Sequence, residues 1–153
     1  MKTVKVGIGI AIIAFSIAGC GRQVAQGPPD IRLDDSMCEE CNMIISDERF
    51  ATATIYEGPR GAEAMLFDDF NCQAIYEASH SDMPITARWS HDYESSEWLT
   101  TEAAHFLFSP RLTTPMASQV AAFSERDAAA RSLSELGGEV LAFEDVWARL
   151  NGQ

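Results

Sequence analysis

The chain has 153 residues, 46% hydrophobic and 22% charged, with a formal net charge of −12. So acidic a body repels a polyanion, which discounts nucleic acid as a partner. No apolar run reaches the ~20 residues of an ordinary membrane-spanning helix, and the length suits one domain with its own core, or two small halves packed together.

The first 19 residues read as an export signal. Lys2 and Lys5 give a short positive start, Val6 to Ile17 is an uncharged apolar run, and small residues follow. Ile17-Ala18-Gly19-Cys20 resembles the lipobox of bacterial lipoproteins, in which the cysteine becomes the lipidated N-terminus. Buried lipid methylenes would then tether the protein to a membrane without spanning it. Both lysines lie in this leader, so the remaining 134 residues carry a formal −14. Residues 20–36 are polar and broken by Gly27, Pro28 and Pro29, and read as a flexible lipidated tether.

The domain at 37–153 reads as two successive units, approximately 37–95 and 96–153. Phe50 to Tyr56 alternates and is rich in β-formers, Gly58-Pro59-Arg60-Gly61 is a turn, and Ala62 to Phe67 is a second strand. Asp68 or Asp69 can cap a helix to about Ser79, with Phe70, Ala74 and Ile75 on its apolar side. Pro84 to Ser90 is a third strand. The second unit repeats the order: strands over 103–108 and 117–123, a helix capped by Ser124 and stopped by Gly137-Gly138, a short strand over 139–143 and a last helical segment over 144–150. The expected fold is α+β, two related ββαβ units packed together.

Met37-Cys-Glu-Glu-Cys-Asn-Met-Ile-Ile-Ser46 carries the chemistry. With Cys20 lipidated, Cys38, Cys41 and Cys72 remain, and an odd count leaves at least one unpaired thiol. A structural zinc needs four ligands, and only one C-x-x-C knuckle is present, with no paired histidines. Asn42 follows the second cysteine, so covalent haem is excluded. A redox dithiol remains open, although no apolar strand feeds the motif, as does a structural disulfide. Two thiols and the thioether of Met43 within six residues also form a set that selects a soft ion such as Cu(I).

Cys41-Asn42-Met43-Ile44-Ile45-Ser46-Asp47-Glu48-Arg49-Phe50 resembles the opening motif of the NosL family, lipoproteins similar to copper chaperones for nitrous oxide reductase. The likeness continues through Phe67-Asp68-Asp69, Trp98-Leu99, Thr114-Pro115-Met116, Ala121-Ala122-Phe123 and Gly137 to Val140. It implies paired ββαβ units, a lipid anchor facing the periplasm, Cu(I) as cargo, and delivery to the copper–sulfide centre of that enzyme. The family usually has glycine where this chain has Asn42, and tends to glycine where it has Ala117. Asparagine tolerates a left-handed backbone, whereas alanine fits one poorly.

Cys41 and Met43 are the first candidate ligands by this resemblance. Cys38 offers a second thiolate, and Met116 can close the site from the second unit. Met65 reads as core, His80 as surface, His91 as structural, Cys72 as a small buried hydrophobe, and Asp68 and Asp69 as capping residues. No nucleophile–base pair or phosphate loop is evident, so a non-enzymatic role is expected. The alternatives are an envelope thiol–disulfide protein using Cys38 and Cys41, or an enzyme like organomercurial lyase, whose fold is similar to paired ββαβ units.

Overall fold

A computed structural model describes residues 27–152. The leader, the lipidation at Cys20 and the tether as far as residue 26 lie outside the described residues. Among the described residues, no helix is long and apolar enough to cross a membrane.

A short 3-10 turn, Glu48–Phe50, is capped by Asp47, whose carboxylate accepts from the Arg49 N–H. Strand β1 (Thr52–Gly58) then pairs antiparallel with β2 (Gly61–Phe67), and Gly58 opposite Gly61 leaves a two-residue turn of Pro59 and Arg60. Helix α1 (Phe70–Ser79) returns the chain to β3 (Ile85–His91), which pairs with the other edge of β1. The second unit contains β5 (His105–Phe108), β6 (Val120–Phe123), α2 (Arg126–Leu136) and β7 (Glu139–Leu141), with β5 central between β6 and β7. Both units therefore place their first strand in the middle, antiparallel to the two that follow, as two related ββαβ units should.

The sequence reading has no counterpart for β4 (Trp98–Thr100), which extends the first sheet to the order β2-β1-β3-β4. Three residues are too few to show an alternation, and β4 exists because β3 offers it an edge. Strand β6 starts at Val120 rather than 117, because Ala117 and Gln119 have left-handed backbones. Ser124 does not cap α2. The residue before the helix is Glu125, whose side chain makes no capping bond, and the Ser124 N–H donates to Asp92 instead. The expected stop holds: α2 ends at Gly137 with φ +65°, and a side chain at Gly138, φ +104°, would collide with the Phe108 carbonyl.

Strand β5 is buried on both faces, which explains its continuous apolar run. Phe106 joins Val120 and Ala122 against α1 and α3 (Phe143–Asn151), and meets Phe70 edge-on at 5.6 Å. Leu107 points the other way, with Ala121 and Phe123, onto α2 and Phe50. Helix α1 lies between the two sheets, so its apolar and polar sides are both covered. Phe70 and Ala74 enter the core under the second sheet. Gln73 donates to the Ala53 carbonyl and to Thr54 of β1, and buried Glu77 pairs with Arg88 of β3 at 2.8 Å. These tertiary partners leave Ile75, expected on the apolar side, 52% exposed.

At the end of β3, His91 and Asp92 tie the units together. His91 is buried, stacks on Trp98 at 3.7 Å, and donates from Nδ1 to the Ala51 carbonyl, which can only accept. Burial pushes its pKa below the ordinary 6.5, against the opposing pull of that carbonyl and Glu48. For Asp92, burial acts upward, but the N–H groups of Ser124, Ser95 and Glu94 together hold the carboxyl below the ordinary 3.8. Both folded-state pKa values are depressed. Their stabilisation is therefore complete above the unfolded pKa of each group and is lost as pH falls through the folded one. The urea midpoint should fall in two steps, one beginning near pH 6.5 and one near pH 4. Substituting His91→Gln should flatten the upper step, and a midpoint insensitive to that change would exclude His91 as its source.

Candidate metal centre

The C-x-x-C segment folds as a miniature hairpin. Met37 bridges Ile44, Cys38 N–H donates to the Met43 carbonyl at 2.8 Å, and Ile45 N–H donates to Ser36 at 2.9 Å. Asn42 closes it with φ +59°. The left-handed turn anticipated at this departure from glycine is present, on a residue type that tolerates it. Ahead of it, Ile31 packs against the cluster around Cys38, and Asp34 N–H donates to the Ile45 carbonyl at 3.0 Å. Glu39 N–H docks the hairpin on the end of β2 through the Leu66 carbonyl at 2.9 Å.

That contact brings the hairpin over the junction of β2 and α1. Phe67 is fully buried, Asp68 follows in the connection, and Cys72 lies in the first turn of α1. Cys38, Cys41, Cys72 and Asp68 each offer one donor atom, and the four atoms all lie within 4.8 Å of one another. Cys38, Cys72 and Asp68 are buried, and Cys41 is the half-exposed member. The Cys41 thiol donates to the Asp68 carboxylate at 3.7 and 3.8 Å. All three cysteines are free thiols.

The cluster divides its protons unevenly. A hydrogen bond from the Cys72 thiol lowers Cys38 to about 6, with burial opposing and the N–H groups of Cys41, Asp68 and Glu40 assisting. Cys72 is pushed up by that same bond to Cys38, by burial and by the nearby carboxylate. Burial also raises Cys41. At neutral pH Cys38 is therefore the thiolate of the cluster, while Cys41 and Cys72 are held above the ordinary thiol range.

The four residues named from the sequence are distributed unequally. Cys38 and Cys41 are in the cluster. Met116 is half-buried and packs against it from the second unit. Met43 stands 47% exposed on the lip, beside Met37 and Ile44 at 53% and 54%. Met65 is half-buried at the same cluster, His80 is exposed, and His91 is buried beside Trp98. Two further residues went unrecognised. Cys72 is buried as expected, yet its sulfur faces the other thiols. Asp69 is the helix cap, accepting from Asn71 N–H at 2.9 Å, which leaves Asp68 free to face them. The paired acids and a cysteine in the first helical turn were visible signals. Nothing local distinguished a packed cysteine from one aimed at another thiol.

Asp69 also sets the position of Met116. Its other oxygen accepts from the Thr114 hydroxyl at 2.6 Å and from Met116 N–H at 2.9 Å, so the Thr-Pro-Met turn is fastened to α1. Ala117 follows with φ +60°. A left-handed alanine is strained by roughly 1 kcal/mol. Ala117→Gly should therefore stabilise the protein by up to about 1 kcal/mol, read as a raised denaturation midpoint; a lower midpoint would show that the backbone is not strained there.

Comparison with known proteins agrees with this architecture. A solved structure described as the copper chaperone NosL from Shewanella denitrificans superimposes with a TM-score of 0.64 at 17% identity, covering 77% of this chain and 96% of that one. No curated protein sequence matches significantly. The sequence pattern of the NosL family matches residues 31–150, which take in both ββαβ units and all the residues of the thiol cluster, and the chain belongs to that family.

Proposed function

We propose that the protein is a non-enzymatic Cu(I) carrier of the cell envelope. It is lipid-anchored through Cys20 on the periplasmic side and hands copper to the copper–sulfide centre of nitrous oxide reductase. The observation that carries this reading is the meeting of three free thiols, of which only Cys41 is open to solvent. Thiolates and thioethers favour Cu(I) over harder ions. The Cys38 thiolate supplies the first charge, Cys41 the accessible sulfur, Met43 a thioether on the exposed lip, and Met116 a thioether from the second unit. The lip suits ligand exchange, because an acceptor's sulfur can approach Cys41 and Met43 without opening the core. Membership of the NosL family, and a solved relative described as a copper chaperone, support the same reading.

The test is anaerobic titration of the reduced protein with Cu(I) against a competing chelator, followed by incubation of the loaded protein with copper-free nitrous oxide reductase. Tight one-to-one binding and transfer of copper to the enzyme are expected. Failure to compete with the chelator would overturn the carrier reading. Binding without transfer would overturn the named acceptor.

One observation favours a second reading. Thiols set beside a carboxylate are what protonolysis of a carbon–mercury bond requires: a thiolate takes the mercury while the proton that a second thiol shares with the carboxylate passes to carbon. Cys38, Cys41, Cys72 and Asp68 meet that description. Release of benzene from phenylmercury with multiple turnovers would establish it, and stoichiometric capture without benzene would exclude it.

A further inference from the structure

We infer that Cys38, Cys41, Cys72 and Asp68 form a four-coordinate pocket for a thiophilic divalent cation of the zinc class, beside and partly shared with the copper ligands. The inference shares Cys38 and Cys41 with the set proposed for Cu(I) and rests on the same thiol cluster, but it adds Cys72 and Asp68 as ligands, and these two separate the readings.

The donor types carry the first part of the argument. Cu(I) is satisfied by sulfur and takes few ligands, so a carboxylate adds little to it. Zinc accepts thiolate and carboxylate together in a tetrahedron, with Zn–S ≈ 2.3 Å and Zn–O ≈ 2.0–2.2 Å. Those bond lengths give tetrahedral edges of about 3.8 Å between sulfurs and about 3.5 Å between sulfur and oxygen. The four donor atoms lie within 4.8 Å of one another, and Cys41 Sγ stands 3.7 and 3.8 Å from the two Asp68 oxygens. Contraction by about an ångström or less would bring the four onto one ion.

The surroundings carry the second part. Asp68 is 3% exposed, and its carboxylate faces the thiols of Cys41 and Cys72. The Cys41 thiol donates to it, so the carboxylate is already aimed at the sulfurs that a cation would bridge. The hairpin fixes the backbone of the knuckle: Cys38 N–H donates to the Met43 carbonyl at 2.8 Å and Asn42 N–H to the Cys38 carbonyl at 2.9 Å, so both of its sulfurs are carried on one short closed loop. The knuckle comes from the hairpin and the other two donors from the end of β2 and the start of α1, so a bound ion would staple the hairpin to the core.

Cobalt(II) is the probe. The full chain in detergent, reduced with a phosphine and freed of metal, is titrated with Co2+ without oxygen. Strong thiolate-to-cobalt absorption in the near ultraviolet, with the intense visible bands of tetrahedral cobalt, is expected at one equivalent and should be lost on adding Zn2+. Asp68→Asn keeps the shape and should weaken Co2+ binding at least about tenfold. Cys72→Ala should do the same, with circular dichroism confirming that it is folded. Cu(I) titrations of the same samples separate the two readings. A weak octahedral spectrum, or a spectrum unchanged in Asp68→Asn, overturns the pocket whatever copper does. Tetrahedral cobalt in a protein that fails to compete for Cu(I) supports the pocket and overturns the carrier.

Discussion

Replacing Cys41 by serine is expected to weaken Cu(I) binding more than about a hundredfold, beyond the 10–100-fold typical of losing a group that merely supports a ligand. The hydroxyl is a hard donor that stays protonated, so it cannot stand in for a thiolate toward a soft ion. Cys41 is the half-exposed member of the cluster, and the substitution should leave the fold intact. That separates it from Cys38 and Cys72, each 1% exposed, where lost packing would confound the measurement. Met43→Leu keeps the apolar volume and removes only the thioether. It should lower affinity by about tenfold, a factor worth 1.4 kcal/mol. Competition against a Cu(I) chelator reads both. An affinity indifferent to Cys41 would place copper elsewhere, and one indifferent to Met43 alone would confine the site to the thiols.

Asp69→Ala should cost about 3 kcal/mol or more of folding stability. Asp69 is fully buried, and its carboxylate accepts from Asn71 N–H, the Thr114 hydroxyl, Met116 N–H and, at 3.4 Å, Ser118 N–H. Deleting it orphans donors on both units at once. Each unsatisfied buried donor costs ~1–3 kcal/mol, and the losses share one site, so they will not add fully. Asp69→Asn keeps an acceptor oxygen and should recover part of the loss. The comparison is made by chemical denaturation. A change within about 0.5 kcal/mol, ordinary for a surface substitution, would mean that the bonds across the two units contribute little. Met116 gives this prediction a functional side. The bond that holds its turn against the thiol cluster comes from Asp69, so a polar clamp between the units also positions the thioether proposed as a copper ligand.

Much of the fold was legible because its signals are local. The alternation of Thr52 to Ile55, the turn at Pro59-Arg60 and the glycine pair after Leu136 each involve residues in contact with chain neighbours. The left-handed position at Asn42 was legible for a related reason, since a turn's backbone angles depend on a few adjacent residues, whereas Ala117, read as the first residue of a strand, was not. Elements decided by distant partners were read less well. β4 forms on the edge that β3 provides, Ser124 gives its N–H to Asp92 rather than capping α2, and Ile75 is displaced from the apolar side of α1 by Gln73 and Glu77, whose partners lie on β1 and β3.

The candidate site divides in the same way. The sequence by itself determined the family motif, the C-x-x-C knuckle and the sulfur-rich segment, because those are patterns of near neighbours along one chain. Only the tertiary structure decided which sulfurs meet. Cys72 and Asp68 lie far along the chain from Cys38, and a cysteine in the first turn of a helix has the same pattern whether it packs against leucine or faces two other thiols. Docking of the hairpin on the end of β2 through Glu39 and Leu66 settles the matter, since it carries Cys38 and Cys41 over the start of α1. Side-chain chemistry is written residue by residue, but a metal site is a set of distances, and those are fixed only when separate elements pack.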